Sequence, residues 1–425
     1  METELKHRTA ANLGGTAAPA TDAPPIAKVD TIAPEPKVPP TAGKLKHGLA
    51  MQIFRRVSLA LYFILSCVAI VLTQLIGAPL YWYDRNLYYS YMALTKESFG
   101  ILAVTVTHWW GSTVMRISGD ESVAGQIRKT ADGRVEFDFP ERLVLIANHQ
   151  IYTDWLYLWW AGYANRPQMH GHLYIILKES LKFIPVLGQG MLFYGFIFMS
   201  RKMAVDQPRL AYRLQKLRQE HTALDGSKYL DPMWLLLFPE GTNLSRNNRV
   251  KSAKWAEKSG VKDMEHALLP RSTGSLFCLR ELKGSVEYLY DCTVAYEGVP
   301  YSEECYTLSG IYFEGRPPKS VNFYWRRFRI DDIPLDDADE FDEWLRQRWY
   351  EKDELLDGYL STGKFPPTPT KVEGDAKTED ATGDGYVVTD VRTKSAGEFT
   401  RIYVVLGSVF LVWRILARVW GRFTG

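Results

Sequence analysis

Leu143-Val-Leu-Ile-Ala-Asn-His149-Gln-Ile-Tyr-Thr-Asp154 is the stretch from which the rest of the chain is read. Its first five residues are uniformly apolar and short, the pattern of a strand buried on both faces of a sheet. Asn148 and His149 follow at once, so the histidine stands at a strand's carboxyl end, where α/β folds build their sites. Histidine can take a proton from a hydroxyl near neutral pH. A carboxylate five residues on, Asp154, can fold back across a tight turn, hold one ring nitrogen protonated and stabilise the imidazolium that forms. Taken alone, the pair reads equally well as a surface histidine followed by a helix N-cap.

Similar apolar runs recur at Leu173–Leu177 and Trp234–Phe238, and later strands are expected at Tyr288–Tyr296 and Val321–Ile330. Helical signals lie between them. Asp206 can cap a helix that has Pro208 in its first turn and Leu210, Leu214 and Leu217 along one side. Phe341, Trp344, Leu345, Leu356 and Tyr359 fall on one helical stripe. Strand–helix alternation without an internal repeat predicts an α/β fold, with a mixed central sheet flanked by helices.

Toward the termini the composition changes. Residues 1–45 are rich in Ala, Pro and Thr without hydrophobic period, and read as a disordered tail. Val57 to Tyr83 contains no charged residue and is long enough to span a hydrocarbon core of roughly 30 Å. Lys44, Lys46, Arg55 and Arg56 precede it and Asp84 follows, which places the N-terminal side in the cytosol. Ser98–Val114 is apolar and borderline in length; it either returns the chain across the membrane or lies in the interface. Ile402–Trp413 is apolar, but Arg414 and Arg418 interrupt it, so an interfacial helix is expected there. The expected organisation is therefore a tail to residue 45, membrane helices over 50–114, a catalytic domain over 115–330, a helical extension over 331–365, a linker over 366–395 and a hydrophobic helix over 396–425.

A net charge of +2 and no basic run interleaved with aromatics argue against nucleic acid as a partner. The 13 Trp and 24 Tyr suit surfaces that are apolar at one end and wet at the other, membrane interfaces among them. Cys67, Cys278, Cys292 and Cys305 form no C-x-x-C pair and are too sparse for a disulfide framework, so reduced, buried thiols are expected. No G-x-S-x-G sequence supports a serine hydrolase, and the partial G-x-G at Gly188–Gly190 lacks the third glycine of a dinucleotide site. His170 and His172 find no third metal ligand and read as loop residues.

Two further blocks carry polar groups beside apolar runs. Phe238-Pro239-Glu240-Gly241-Thr242 follows a strand and shapes a sharp turn. Lys178-Glu179-Ser180-Leu181 and Gly195-Phe196-Ile197-Phe198-Met199-Ser200-Arg201 bring Lys178 and Arg201, which suit a phosphate; each block alone also reads as an ordinary turn or solvated edge.

Together, the order and spacing of these blocks resemble the glycerophospholipid acyltransferase family, which contains the lysophosphatidate acyltransferases. N-H-Q-x-x-x-D matches that family's first block, Gly195–Arg201 its second, Phe238–Thr242 its third, and Leu268-Leu269-Pro270-Arg271 its fourth. The likeness covers about residues 50–360, and the Trp344–Leu360 region looks like the family's C-terminal extension. It implies that acyl-CoA is the co-substrate and that no metal or other cofactor is needed. It also implies that His149 is the general base on a lysophospholipid hydroxyl, with Asp154 orienting it. Glu240, Gly241, Thr242, Lys178 and Arg201 would hold the acceptor's phosphate. The sequence departs from the lysophosphatidate enzymes in one place: Asn243 stands where they commonly carry Arg after the third block. That resembles the branch acting on lysophosphatidylinositol and lysocardiolipin. The expectation is a membrane enzyme of the endoplasmic reticulum, its catalytic domain facing the cytosol, that acylates a lysolipid bearing a head group. The alternatives are an enzyme that makes phosphatidic acid and a non-catalytic lipid-binding scaffold.

Overall fold

The computed structural model describes residues 47–200, 202–223, 225–297, 306–369 and 385–424. The expected tail, Arg201 and Cys305 lie outside them. Of the remaining cysteines, Cys67, Cys278 and Cys292 are free and buried.

The architecture is the expected α/β one. An eight-stranded sheet runs in the order β12 (Val387–Asp390), β1 (Val114–Gly119), β11 (Ser320–Arg329), β10 (Tyr288–Tyr296), β4 (Arg142–Ala147), β9 (Met233–Leu237), β5 (Leu173–Lys178) and β6 (Ile197–Met199). Its centre is β4 (Arg142–Ala147), which pairs in parallel with β10 (Tyr288–Tyr296) on one side and β9 (Met233–Leu237) on the other. Beyond β9, β5 (Leu173–Lys178) and β6 (Ile197–Met199) continue in parallel. Beyond β10, β11 (Ser320–Arg329) is antiparallel, and β1 (Val114–Gly119) runs parallel to β11. Two small ribbons complete the strands, β2 (Ile127–Lys129) with β3 (Val135–Phe137), and β7 (Glu220–Thr222) with β8 (Lys228–Leu230).

The apolar run of β4 is explained by two cores. Leu143, Leu145 and Ala147 face a cluster that includes residues of α3 (Arg85–Trp110) and α4 (Asp154–Ala164). Val144 and Ile146 point the other way, into a cluster with α6 (Met203–Leu217), α8 (Ser272–Leu282) and α9 (Ala338–Thr362). A strand covered on both faces can afford no polar alternation. Helix α6 begins three residues before the expected cap; Asp206 sits inside its first turn, where its carboxylate accepts from the main-chain N–H of Ser200 and Lys202. The short α5 (Leu187–Phe193) and α7 (Arg246–Ser259) follow β5 and β9 respectively.

The N-terminal apolar region is not a single helix to Tyr83. Helix α1 runs Leu49–Gly77, and Ala78-Pro79 separates it from the four-residue α2 (Leu80–Tyr83). Gly77 is needed here, since a Cβ would meet Tyr91 of α3 at 2.1 Å. Asp84 then caps α3, accepting from the N–H groups of Asn86 and Leu87. Helix α3 therefore starts well before Ser98, and every residue from Phe99 to Thr107 is buried. That stretch is mostly apolar on every side because the rest of the protein surrounds it. Helix α1 lies lengthwise against the body: Gln52 donates to the Glu314 carbonyl, Arg55 to that of Trp110, and Gln74 to that of Gly190. Its outer face leaves Phe54, Val57, Leu61, Leu65, Leu72 and Leu75 exposed.

The 366–395 stretch, expected as a linker, contains β12 (Val387–Asp390), which pairs antiparallel to β1. After it, Tyr403 reaches Ser66 of α1 at 2.7 Å, and α10 (Val404–Thr424) projects with Phe410, Trp413 and Leu416 exposed. Its Arg414, Arg418 and Arg422 recur at four-residue spacing, which puts them on one side of the helix.

Candidate active site

The topology brings the sequence blocks to one edge. In β4, β9, β5 and β6 the strands are parallel, so their carboxyl ends line up. They deliver His149, then the Phe238–Thr242 turn, then Lys178, then Ser200, at strand spacings of about 5 Å. By that spacing Lys178 stands about 10 Å from the histidine's strand, at an exposed position.

His149 and Asp154 meet as the sequence suggests. Nδ1 of His149 lies 2.9 Å from Oδ2 of Asp154, which also accepts from the Ile151 N–H at 3.0 Å. Asp154 is also the first residue of α4, where a negative charge is favoured; the N-cap position itself belongs to Thr153. The Tyr296 hydroxyl, at the end of β10, donates to Oδ1. Asp154 is fully buried, while the His149 side chain keeps 17% of its surface. With Nδ1–H committed to the carboxylate, Nε2 is the nitrogen left to accept a proton. The ring stacks on Phe238, centroids 4.2 Å apart. Neighbouring Asn148 is locked to β10 through two bonds with Val294, its Nδ2 donating to the carbonyl and its Oδ1 accepting from the N–H.

The turn after β9 brackets the histidine's main chain. The His149 N–H donates to Oε1 of Glu240 at 3.2 Å, and the His149 carbonyl accepts from the Leu244 N–H at 2.6 Å. Gly241 takes a positive φ of 71° at the sharpest point. The Glu240 side chain faces away from the surface of this turn. Its carboxylate is turned inward and buried, and Oε1 also accepts from the Trp349 indole N–H at 3.2 Å. Burial pushes the Glu240 carboxyl up to about 7, against the opposing pull of His149 and the indole bond.

Gly241 and Thr242 do stand at the surface of the turn. Asn248 on α7 pins the following residues, donating to Thr242 Oγ1 at 3.0 Å and to the Asn243 carbonyl at 3.1 Å. The groups here are neutral amides and a hydroxyl. Arg249 is directed elsewhere, onto the carbonyls of Met264 and Ala267. Arg271, from the fourth block, lies against the turn: its N–H donates to Pro239, and its side chain comes within 3.8 Å of a Cβ built on Gly241. Sequence reasoning did not anticipate Tyr296, Trp349 or this placement of Arg271. Tyr296 carried a signal only as the last residue of an expected strand.

Among the described residues no group of three His, Cys, Asp or Glu side chains is arranged to hold a metal. His170 is buried with neither ring nitrogen partnered among them, and burial pushes it down to about 3, a neutral core histidine.

Comparison with known proteins places this geometry. Residues 128–297 match the family described as Acyltransferase, and residues 312–381 match Acyltransferase C-terminus. The chain is 35% identical to a 2-acyl-1-lysophosphatidylinositol acyltransferase of Saccharomyces cerevisiae, over 88% of this chain and 97% of the relative. It is 34% identical to lysophosphatidylinositol acyltransferase 10 of Caenorhabditis elegans over 58% and 56%, and 30% identical to lysocardiolipin acyltransferase 1 of Danio rerio over 65% and 66%.

The Tyr296 hydroxyl holds the carboxylate that orients the histidine. Tyr296→Phe is expected to lower turnover roughly tenfold or more, because a hydrogen bond to a charged group contributes about 1.5–3 kcal/mol. Steady-state kinetics on the folded variant checks this; turnover within twofold of wild type would contradict it.

Proposed function

The chain belongs to the glycerophospholipid acyltransferase family and acylates a lysophospholipid, and we propose that it draws the acyl group from acyl-CoA and prefers an acceptor with a head group, lysophosphatidylinositol first. The observation that carries the chemistry is the buried carboxylate of Asp154 on Nδ1 of His149, at the edge where the third block forms its turn.

The residues support a direct transfer. Nε2 of His149 takes the proton of the acceptor hydroxyl as its oxygen attacks the thioester carbonyl carbon. The C–O bond forms, the C–S bond breaks, and the imidazolium returns the proton to the departing sulfur. Asp154 keeps the ring in the required tautomer and stabilises its charged form. Phe238 covers one face of the ring. In this reading Gly241, Thr242 and Lys178 border the acceptor, and Glu240 does not touch it.

Charge matching supports the acceptor. A phosphomonoester carries nearly two negative charges at neutral pH, a phosphodiester one. The turn presents Thr242, Asn243 and Asn248, with Arg271 beside it. Burying a second charge without a partner is costly, so this turn favours the diester. A panel of lysolipids with purified protein tests the reading: lysophosphatidylinositol should show a higher kcat/KM than lysophosphatidate, and Asn243→Arg should move the preference toward lysophosphatidate by roughly tenfold. A wild-type preference for lysophosphatidate would overturn the acceptor assignment, and no acylation of any lysolipid would overturn the reading as a whole.

The protein is a membrane protein; two of its helical segments, Leu49–Tyr83 and Glu398–Phe423, are long and apolar enough to cross a bilayer. We propose that both instead sit in one leaflet of the endoplasmic reticulum, with the catalytic domain in the cytosol. Helix α1 is bonded to the body near both of its ends, so a crossing would drag the sheet into lipid. The first ten residues of α10 precede Arg414 and span only about 15 Å, half a hydrocarbon core. Acyl-CoA is charged and cytosolic, and Arg55 and Arg56 flank the apolar region on its N-terminal side. Protease protection on sealed microsomes should find residues 140–360 accessible from outside; protection of that segment would contradict this orientation.

A further inference from the structure

The site is completed by a residue far from every sequence block. Trp349 lies in the middle of α9, is fully buried, and directs its indole N–H onto Oε1 of Glu240, the oxygen that also receives the His149 N–H. Both donors fall on one carboxylate oxygen; Oε2 has no partner among the described residues. The carboxylate is thus held from two sides, once by the catalytic loop and once by the C-terminal extension.

Helix α9 is firmly seated on the strands and loops that build the site. Asp337 caps its start, accepting from the N–H groups of Asp339 and Glu340. Lys352, fully buried, pairs with Asp291 in the middle of β10 and donates to the carbonyl of Cys292 at 2.8 Å. Asp353 accepts from three consecutive main-chain N–H groups, Glu265, His266 and Ala267, and the His266 carbonyl in turn accepts from Gln150 beside the histidine. Tyr359 accepts from Asn322 on β11 at 2.8 Å. A rigid helix anchored at so many points places the Trp349 indole N–H within narrow limits.

We propose that Trp349 is a positioning residue for acyl transfer: its indole N–H fixes the Glu240 carboxylate, which holds the main chain of His149 so that Nε2 faces the acceptor hydroxyl. The inference rests on the acyl-transfer reading above. Trp349 touches neither substrate. Its effect is confined to kcat, through the orientation of the histidine, and to pH dependence. The titratable groups acting on Glu240 are His149 and Asp154 from the turn between β4 and α4, while α9 contributes the neutral indole and its Lys352 is committed to Asp291 on β10. The bond from Trp349 favours the ionised carboxylate. Without it the carboxyl holds its proton to higher pH, and the two-sided grip on the ionised oxygen is lost over a wider range.

The test uses the full chain in detergent or lipid. Trp349→Phe keeps an aromatic ring and removes the N–H. Its kcat should fall roughly tenfold, as for loss of a hydrogen bond to a charged group. Both KM values should stay within about twofold of wild type, and the acid limb of the rate profile should move to higher pH. Trp325→Phe, the same change at a fully buried tryptophan of β11 in the opposite core and without contact to Glu240, should change thermal stability while leaving kcat and the limb in place. Equal kinetic losses in the two variants, or a Trp349→Phe enzyme with unchanged kcat and limb, would overturn the proposal. If Trp349→Phe does not fold, Glu240→Gln decides: it should lower kcat and change the acid limb, and wild-type behaviour would overturn the proposal. A wild-type enzyme inactive on every lysolipid would instead defeat the acyl-transfer reading.

Discussion

A single buried carboxylate organises the site. Asp154 has no solvent to share its charge, so each of its lone pairs must find a donor within the fold. Three supply it: the His149 ring, the Ile151 N–H and the Tyr296 hydroxyl. The first ties the carboxylate to the His149 ring, the second closes the turn between β4 and α4, and the third requires β10 to lie beside β4. Moving any of these elements would strand a charge in the interior, so the geometry of the histidine is enforced by the energetics of the whole sheet.

The parallel strands turn that constraint into a working edge. Because β4, β9 and β5 share a direction, the groups that follow them emerge together. The turn after β9 then grips the histidine's main chain through Glu240 and Leu244. The C-terminal helix closes the arrangement from the opposite core, with a buried Lys352–Asp291 pair and the indole of Trp349. The His149 loop, third block and extension thus form one hydrogen-bonded unit, while the apolar faces of α1 and α10 are left exposed.

Local pattern made much of this legible. The strand at Tyr288–Tyr296 falls on the expected residues, and the helical stripe of Phe341, Leu345 and Tyr359 lies on α9 as its period suggests. His149 and Asp154 were legible because five residues and one tight turn bring them together. What escaped depends on distant partners. Apolar residues from Phe99 to Thr107 read as membrane-facing, since nothing in their composition separates burial in lipid from burial in protein. The strand at Val387–Asp390 is short, sits among polar residues and exists because β1 offers an open edge. Glu240 looked like a ligand-binding acid; its inward turn is set by an indole over one hundred residues away in sequence.

The central claim is that His149 acts as the general base on the acceptor hydroxyl. The most direct measurement is the turnover of His149→Ala, made on protein shown to be folded and still membrane-bound. General base catalysis contributes about 10²–10⁴-fold, so acyl transfer should fall by at least that much while membrane association is unchanged. Near-normal turnover in that variant would contradict the account.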